Sequence, residues 1–214
     1  MKIAPGSRLL FIGDSITDAN RARPVGEADG LGTGYVALVN AFFQATIPHH
    51  RIRVLNTGIS GNTVRDLKAR WQCDVLDLQP HWVSVMIGIN DVWRQFDRPL
   101  QPEAHVDADE YETTLDELVA LTKPHVRGLV LMTPFYLEPN RQDPMRRKMD
   151  EYGRIVRQIA RRHRTVFCDT QAAFDRVLTH VYPAALAWDR VHPNLTGHLI
   201  LARAFLEAVG FAGL

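Results

Sequence analysis

Short apolar runs alternate along this chain with longer amphipathic segments. The short runs are rich in Val, Ile, Leu and Phe, which is typical of strands that are buried on both faces of a sheet. Such runs predict five strands, at Leu9–Gly13, Ile52–Asn56, Trp82–Gly88, Gly128–Met132 and Thr165–Cys168.

The segments between these runs carry apolar residues near a 3.6-residue period, which predicts helices with one buried face. Asn62 and Thr63 are expected to cap the second of these helices and Asn194 the last, which Gly210 ends. The predicted helices cover Tyr35–Ala45, Val64–Leu78, the stripe from Tyr111 to Leu121, the stripe from Met145 to Ile159, and Leu195–Val209.

Repeated strand–helix alternation predicts a parallel sheet with helices on both faces. We therefore expect a three-layer α/β/α sandwich with a five-stranded parallel, flavodoxin-like sheet. No Pro-, Gly- or Ser-rich linker interrupts the chain, so residues 1–214 are expected to form a single domain. The segment Asp91–Val106 is predicted to be the longest irregular loop, at a length where a functional role becomes common.

Composition excludes several function classes. Lys and Arg total 25 against 24 Asp and Glu, and this balance argues against a nucleic-acid-binding surface. No apolar stretch approaches the 18 residues or so that a membrane span needs, so no membrane association is expected. Two cysteines, Cys73 and Cys168, are too few for a disulfide framework, and we expect both to be buried reduced thiols in a cytoplasmic protein. No zinc spacing or nucleotide fingerprint occurs, so neither a metal nor a cofactor is expected.

Three glycine-containing polar loops follow the first three predicted strands. They are Gly13-Asp14-Ser15, Gly58 to Asn62, and Gly88 to Asp91. In an open parallel sheet, ligands bind outside the carboxyl ends of the strands, where the strand order switches. If the strand order is 2-1-3-4-5, the three loops converge on one crevice.

A fourth polar segment, Asp189 to Pro193, precedes the last predicted helix. An aspartate three residues before a histidine can orient the imidazole ring. Ester cleavage by a nucleophile needs a hydroxyl, a base, an orienting carboxylate and donors for an oxyanion. The chain offers Ser15, His192 and Asp189 for the first three, and the Ser15 and Gly61 amides with the Asn90 side chain as oxyanion donors. No G-x-S-x-G elbow accompanies them, which argues against the α/β-hydrolase fold.

Simpler interpretations compete with these assignments. Ser15 could merely cap a helix, and Asn90 could belong to an ordinary turn. Asp14 is interpreted first as an acceptor for loop amides, although it stays a candidate substrate contact. Trp188 could pack in the core or form a wall of an acyl pocket, and Trp93 could contact a substrate.

The four segments resemble the motif blocks of the SGNH (GDSL-type) hydrolases. Within that family, long stretches are similar to intracellular bacterial acetyl xylan esterases: FIGDSITD, GISGNTVRDLKARW, MIGINDVWRQ, LMTPFY, DPMRRKMD, DTQAAF and YPAALAWDRVHP. The resemblance implies a nucleophile at Ser15, oxyanion donors at Gly61 and Asn90, and the supporting pair Asp189 and His192. Ile16 stands where many members have leucine, which conserves volume.

The resemblance implies a cofactor-free serine esterase that removes short acyl groups, acetyl above all, from carbohydrates such as acetylated xylo-oligosaccharides. It also implies a homo-oligomer, an octamer in the similar group. One alternative is a short-chain thioesterase or lysophospholipase of the same family. Another is a non-catalytic, flavodoxin-like module that binds a phosphate ligand, in which Asp189 and His192 would have no role.

Overall fold

A central parallel sheet organises the molecule, for which the computed structural model describes residues 1–213. The strands, in chain order, are β1 (Arg8–Gly13), β2 (Gly26–Glu27), β3 (Arg53–Asn56), β4 (Trp82–Met86), β5 (Gly128–Met132) and β6 (Val166–Cys168). Their spatial order is β2-β3-β1-β4-β5-β6. All neighbours pair in parallel except β2, which pairs antiparallel with β3. The predicted α/β class and the 2-1-3-4-5 order of the five parallel strands are confirmed.

Helices cover the sheet in two groups that pack among themselves. They are α1 (Ser15–Asp18), α2 (Tyr35–Thr46), α3 (Val64–Trp71), α4 (Ile89–Asp97), α5 (Ala108–Thr122), α6 (Pro144–His163), α7 (Thr170–Leu178) and α8 (Leu195–Ala208). Helices α2 and α7 pack on α8, whereas α3, α4, α5 and α6 pack together. Thr63 and Asp66 form a reciprocal cap at the start of α3, and Asn194 accepts a hydrogen bond from the Gly197 amide at the start of α8.

Four sequence-based expectations need correction. The sheet has six strands within residues 1–213, one more than expected. The additional strand, β2, was missed because two residues are too few to show an apolar pattern. Residues 91–97 of the expected loop belong to α4, whose Ile89 and Val92 are buried. The helix expected over Val64–Leu78 changes after Trp71 into a π-helical segment, Gln72–Leu76. Cys73 is exposed on that segment, whereas Cys168 is buried as predicted.

The register of the sheet brings the polar loops together. Gly13 at the end of β1 lies beside Met86 at the end of β4, and Phe11 lies beside Asn56 at the end of β3. The loops that follow these strands therefore leave the same edge of the sheet. None of the helices in residues 1–213 combines the length and the apolar composition that a bilayer crossing requires. The same residues contain no cluster of three potential metal ligands.

Candidate active site

Ser15 is presented on a very short helix directly after β1. Asp14 caps α1, since its Oδ1 accepts a hydrogen bond from the Ile16 amide at 3.0 Å. Ser15 is the first residue of α1, so its amide has no carbonyl partner inside the helix. Ala19 adopts a left-handed conformation (φ +39°) that ends α1 after one turn. Both the hydroxyl and the amide of Ser15 are thereby available at the sheet edge.

Ser15, His192 and Asp189 form a continuous hydrogen-bonded chain. Ser15 Oγ lies 2.9 Å from His192 Nε2, and His192 Nδ1 lies 2.6 Å from Asp189 Oδ2. Because the carboxylate accepts a hydrogen bond from Nδ1, the neutral ring carries its hydrogen on that nitrogen. Nε2 is then free to accept a hydrogen bond from the serine hydroxyl. Ser15 and His192 are 177 residues apart in the sequence. The structure thus brings together the three residues that the sequence predicted to act together.

The Asp189 carboxylate is bound by its own turn as well as by the imidazole. Its Oδ1 accepts hydrogen bonds from the Val191 amide at 2.9 Å and the His192 amide at 2.8 Å. Partial burial favours the neutral acid, but the bonds from the His192 side chain and from the two amides outweigh it and lower the pKa of Asp189. Asp189 is therefore ionised at neutral pH.

The turn that carries Asp189 and His192 is anchored on the segment after β5. Arg190, between the two, adopts a left-handed conformation (φ +64°), and its guanidinium pairs with Glu138. Its carbonyl accepts a hydrogen bond from the Leu137 amide at 3.0 Å. The buried guanidinium of Arg146 donates in turn to the Glu138 carbonyl at 2.5 Å. These contacts hold a turn whose central residue is in an unfavourable backbone region.

The second and third polar loops are joined by Asn90. Its Nδ2 donates to the Asn62 carbonyl at 3.0 Å, and its Oδ1 accepts from Arg94 at 3.1 Å. An amide nitrogen has two hydrogens, so one remains for another acceptor. Gly61 adopts φ +83°, a region that favours glycine. The loop bearing Gly61 and the start of α4 are thus fixed relative to each other.

Two other carboxyl groups are fully buried beside these loops. Burial, together with the nearby charge of Asp91, raises the pKa of Asp14 to about 7. The hydrogen bond from the Ile16 amide acts in the opposite direction. Burial also raises the pKa of Asp91 to about 7, against a hydrogen bond that the Val64 amide donates to its Oδ1 at 2.9 Å. Asp14 is 1% exposed and accepts from the Ile16 amide, which fits a structural acceptor and corrects the expectation of a substrate contact.

A cleft of about 530 Å³ opens beside the Ser15–His192 pair. Trp93 lies next to it, with its ring centre 5.9 Å from that of His192. Trp188 is 85% exposed, so the core interpretation of this residue is wrong. The cleft is lined by Ser15, Ile16, Ala19, Asn20, Thr33, Ser60, His192, Pro193, Asn194, Leu195 and His198.

Sequence reasoning missed several side chains that support the site. Arg70, on α3, donates to the Gly13 carbonyl at 3.1 Å and to Asn62 Oδ1 at 2.7 Å, which links the first two loops. Asp18 accepts hydrogen bonds from the amide and the hydroxyl of Ser60 at 3.0 and 3.1 Å. In the sequence, Arg70 and Asp18 look like ordinary polar residues of a helix, and no local pattern distinguishes them from solvent-exposed ones. His198, which has no acid at motif spacing in the sequence, also lines the cleft.

Comparisons with known proteins agree with this geometry. The acetylxylan esterase of Geobacillus stearothermophilus is 65% identical over 213 residues, which are 99% of this chain and 97% of that protein. Its crystal structure superposes with a TM-score of 0.99 at 64% identity, covering 100% of this chain and 99% of the other. An alpha/beta hydrolase enzyme from the metagenome of Lake Arreo is 56% identical, with a TM-score of 0.96 and 98% of each chain covered.

Further matching structures are catalytic mutants of the Geobacillus enzyme, in which a serine, an aspartate or a histidine is replaced by alanine. The model of the GDSL-like lipase/acylhydrolase family matches residues 11–200. That span includes all four polar segments and most of the sheet. This chain therefore belongs to the GDSL-like lipase/acylhydrolase family.

Proposed function

We propose that this protein is a serine esterase that removes short acyl groups, acetyl above all, from the hydroxyls of carbohydrates such as xylo-oligosaccharides. The observation that carries the proposal is the hydrogen-bonded chain from Ser15 Oγ through His192 to Asp189. A hydroxyl, a correctly oriented imidazole and an ionised acid in this order form the machinery of nucleophilic acyl transfer.

In the acylation step, Ser15 Oγ attacks the ester carbonyl carbon as His192 Nε2 takes the hydroxyl proton. The tetrahedral intermediate collapses, the carbon–oxygen bond to the sugar breaks, and His192 returns the proton to the leaving alcohol. In deacylation, His192 takes a proton from water, the hydroxide attacks the acyl-serine, and the proton returns to Ser15 as the carboxylic acid leaves. The ionised Asp189 stabilises the imidazolium in both steps.

The negative charge of each tetrahedral intermediate requires fixed donors. We assign this role to the Ser15 amide, the Gly61 amide and the Asn90 side chain. The Ser15 amide stands at the start of α1, and Asn90 is held at both ends of its amide by Asn62 and Arg94. Donors that are oriented before the reaction need no reorganisation when the charge develops.

The substrate class rests on the high identity to the acetylxylan esterase. Trp93 is proposed to contact the substrate, since its ring lies beside His192. Trp188, exposed and adjacent to Asp189, stays a predicted contact. A single domain over 1–214 and a homo-oligomer, an octamer by resemblance, stay predictions that light scattering on the purified chain tests. Both cysteines are free thiols, which suits the predicted cytoplasmic location.

Replacement of the nucleophile tests the proposal. Ser15→Ala should lower kcat for acetylated xylobiose by more than about 10⁴-fold while the thermal unfolding curve stays unchanged. Mass spectrometry of the wild-type protein treated with a serine-directed inhibitor should find the adduct on Ser15. An adduct elsewhere, or a Ser15→Ala variant with substantial turnover, would contradict the assignment. A panel of acetylated sugars, acyl-thioesters and lysolipids decides the substrate class, and preferential turnover of the latter two would overturn it.

A further inference from the structure

A second histidine lines the same cleft as Ser15 and His192. His198 lies in the first turn of α8, and its Nδ1 accepts a hydrogen bond from the Tyr35 amide at 3.2 Å. Tyr35 is the first residue of α2, where an amide has no partner inside the helix. The ring fits there because residue 34 is glycine: a Cβ at that position would lie 3.0 Å from His198 Cε1 and 2.6 Å from Ala19 Cβ. His198 therefore joins α8 to the beginning of α2.

This contact fixes which nitrogen of His198 carries a hydrogen. A nitrogen that accepts a hydrogen bond from an amide is unprotonated, so the neutral ring carries its hydrogen on Nε2. Burial first, and then the proximity of His192, lower the pKa of His198 to about 4. The positive end of the α2 dipole also disfavours an imidazolium at this place. At neutral pH, His198 is consequently an uncharged hydrogen-bond donor.

The donor has no acceptor inside the described part of the chain. Within residues 1–213, the protein supplies a hydrogen-bond partner to His198 Nδ1 and none to Nε2. The wall of the cleft is mixed, and its polar side chains include Asn20, Thr33 and Asn194. An acetyl group is small and apolar, whereas a sugar presents many oxygens that need hydrogen-bond partners. These polar side chains, together with the free donor of His198, therefore match the alcohol part of the ester better than the acyl part.

We propose that His198 is a specificity-determining residue whose Nε2–H donates a hydrogen bond to a hydroxyl or ring oxygen of the sugar in the substrate. This inference rests on the proposed esterase function and deepens it. His198 is not a second base, because its only unprotonated nitrogen is occupied by Tyr35. It distinguishes a hydroxyl-bearing alcohol from a simple one, and the loss of one such bond is expected to cost about 3- to 10-fold in kcat/KM.

Two substitutions separate the sugar contact from the structural contact. In His198→Asn, the side-chain oxygen can take the place of Nδ1 and still accept from Tyr35, but the short side chain withdraws the donor from the cleft. In His198→Gln, the longer amide can present an N–H near the former Nε2, but the contact with Tyr35 is lost. His180→Asn, on an exposed residue that does not line the cleft, is the matched control.

The measurements are kcat and KM for acetylated xylobiose and for 4-nitrophenyl acetate, together with the melting temperature. We expect His198→Asn to lose about 3- to 10-fold in kcat/KM for the sugar ester only, with an unchanged melting temperature. His198→Gln should keep more of the sugar activity than His198→Asn but melt at a lower temperature. His180→Asn should match the wild type in every measurement.

Three outcomes would overturn the inference. If His198→Asn keeps the full preference for the sugar ester, the residue serves only to cap α2. If both esters lose activity equally, His198 acts through His192 and not through the sugar. If the wild-type protein hydrolyses the aryl ester but no sugar acetate, the substrate part of the proposed function fails and the sugar contact fails with it, whereas the first two outcomes leave the proposed function intact.

Discussion

Two aspartates close to the same serine behave in opposite ways. Asp189 accepts hydrogen bonds from the His192 ring and from two amides, and its pKa is lowered even though burial opposes ionisation. Asp14 adjoins Ser15 in the chain but accepts one amide hydrogen bond, and complete burial raises its pKa to about 7. The degree of burial and the number of donors, more than closeness to the nucleophile, decide how strongly each carboxyl group favours its charged form.

The difference in pKa gives Asp189 and Asp14 different roles. A charged Asp189 can stabilise the imidazolium that forms when His192 takes the serine proton. Asp14 holds the first turn of α1 and so sets the position of Ser15. Loss of the Asp189 charge is therefore expected to cost far more turnover than loss of the Asp14 charge.

The largest expected effect separates the two aspartates directly. Asp189→Asn should lower kcat by up to roughly 10⁴-fold, because the amide cannot support the imidazolium and favours the wrong tautomer. Asp14→Asn preserves the shape of the cap and should lower kcat by less than about 10²-fold. Steady-state kinetics on an aryl acetate, with circular dichroism as the check on folding, measures both. Abolished turnover in Asp14→Asn together with near wild-type turnover in Asp189→Asn would reverse the assignment.

The next effect concerns the oxyanion donor that adjoins the other buried acid, Asp91. Asn90→Ala should lower kcat by about 10²–10³-fold with a smaller change in KM, since the donor acts on charge that develops only in the transition state. Thermal unfolding should show that the loops remain folded. A change confined to KM would mean instead that Asn90 holds the ground-state substrate.

A smaller effect tests how the charged half of the site is held. Glu138→Gln keeps the size of the side chain but removes the charge that pairs with Arg190. We expect kcat to fall about 3- to 10-fold with little change in KM, because the turn that carries Asp189 and His192 loses an anchor. Arg141→Ala, which removes an exposed partner of Asp175, is the control and should leave kcat unchanged. An unaltered kcat in Glu138→Gln would show that the backbone contacts alone hold the turn.

The last effect concerns stability and not turnover, and it arises from the buried carboxyl group of Asp14. The pKa of Asp14 is higher in the folded state than in an unfolded chain, so the folded state prefers the proton. The contribution of Asp14 to the free energy of unfolding therefore falls as pH rises from about 4 to about 7, at about 1.4 kcal/mol for each pKa unit.

Denaturant unfolding of wild type and Asp14→Asn at pH 5 and pH 8 measures this contribution. The difference between the two proteins should shift in favour of the variant at pH 8. A constant difference would show that Asp14 stays ionised, or stays neutral, over the whole range, and the contrast with Asp189 would have to be revised.

Much of the fold and the candidate triad could be predicted from local sequence. Buried parallel strands leave continuous apolar runs, and each polar loop follows such a run, so the sequence already places Ser15 and Asn90 at one sheet edge. The sequence also predicts Thr63 and Asn194 as helix caps, because capping depends only on a few neighbouring residues. The pairing of Asp189 with His192 is local as well, since both lie in one turn.

Tertiary structure alone decided the features that depend on contacts between distant segments. Burial of Asp14, exposure of Trp188 and Cys73, and the pairing of β2 with β3 follow from what packs against each residue. The neutral state of His198 arises from an amide 163 residues away and from burial between helices. The sequence determined which chemical groups are present and which local turns they form, whereas folding fixed their solvation and hydrogen-bond partners, on which charge and tautomer depend.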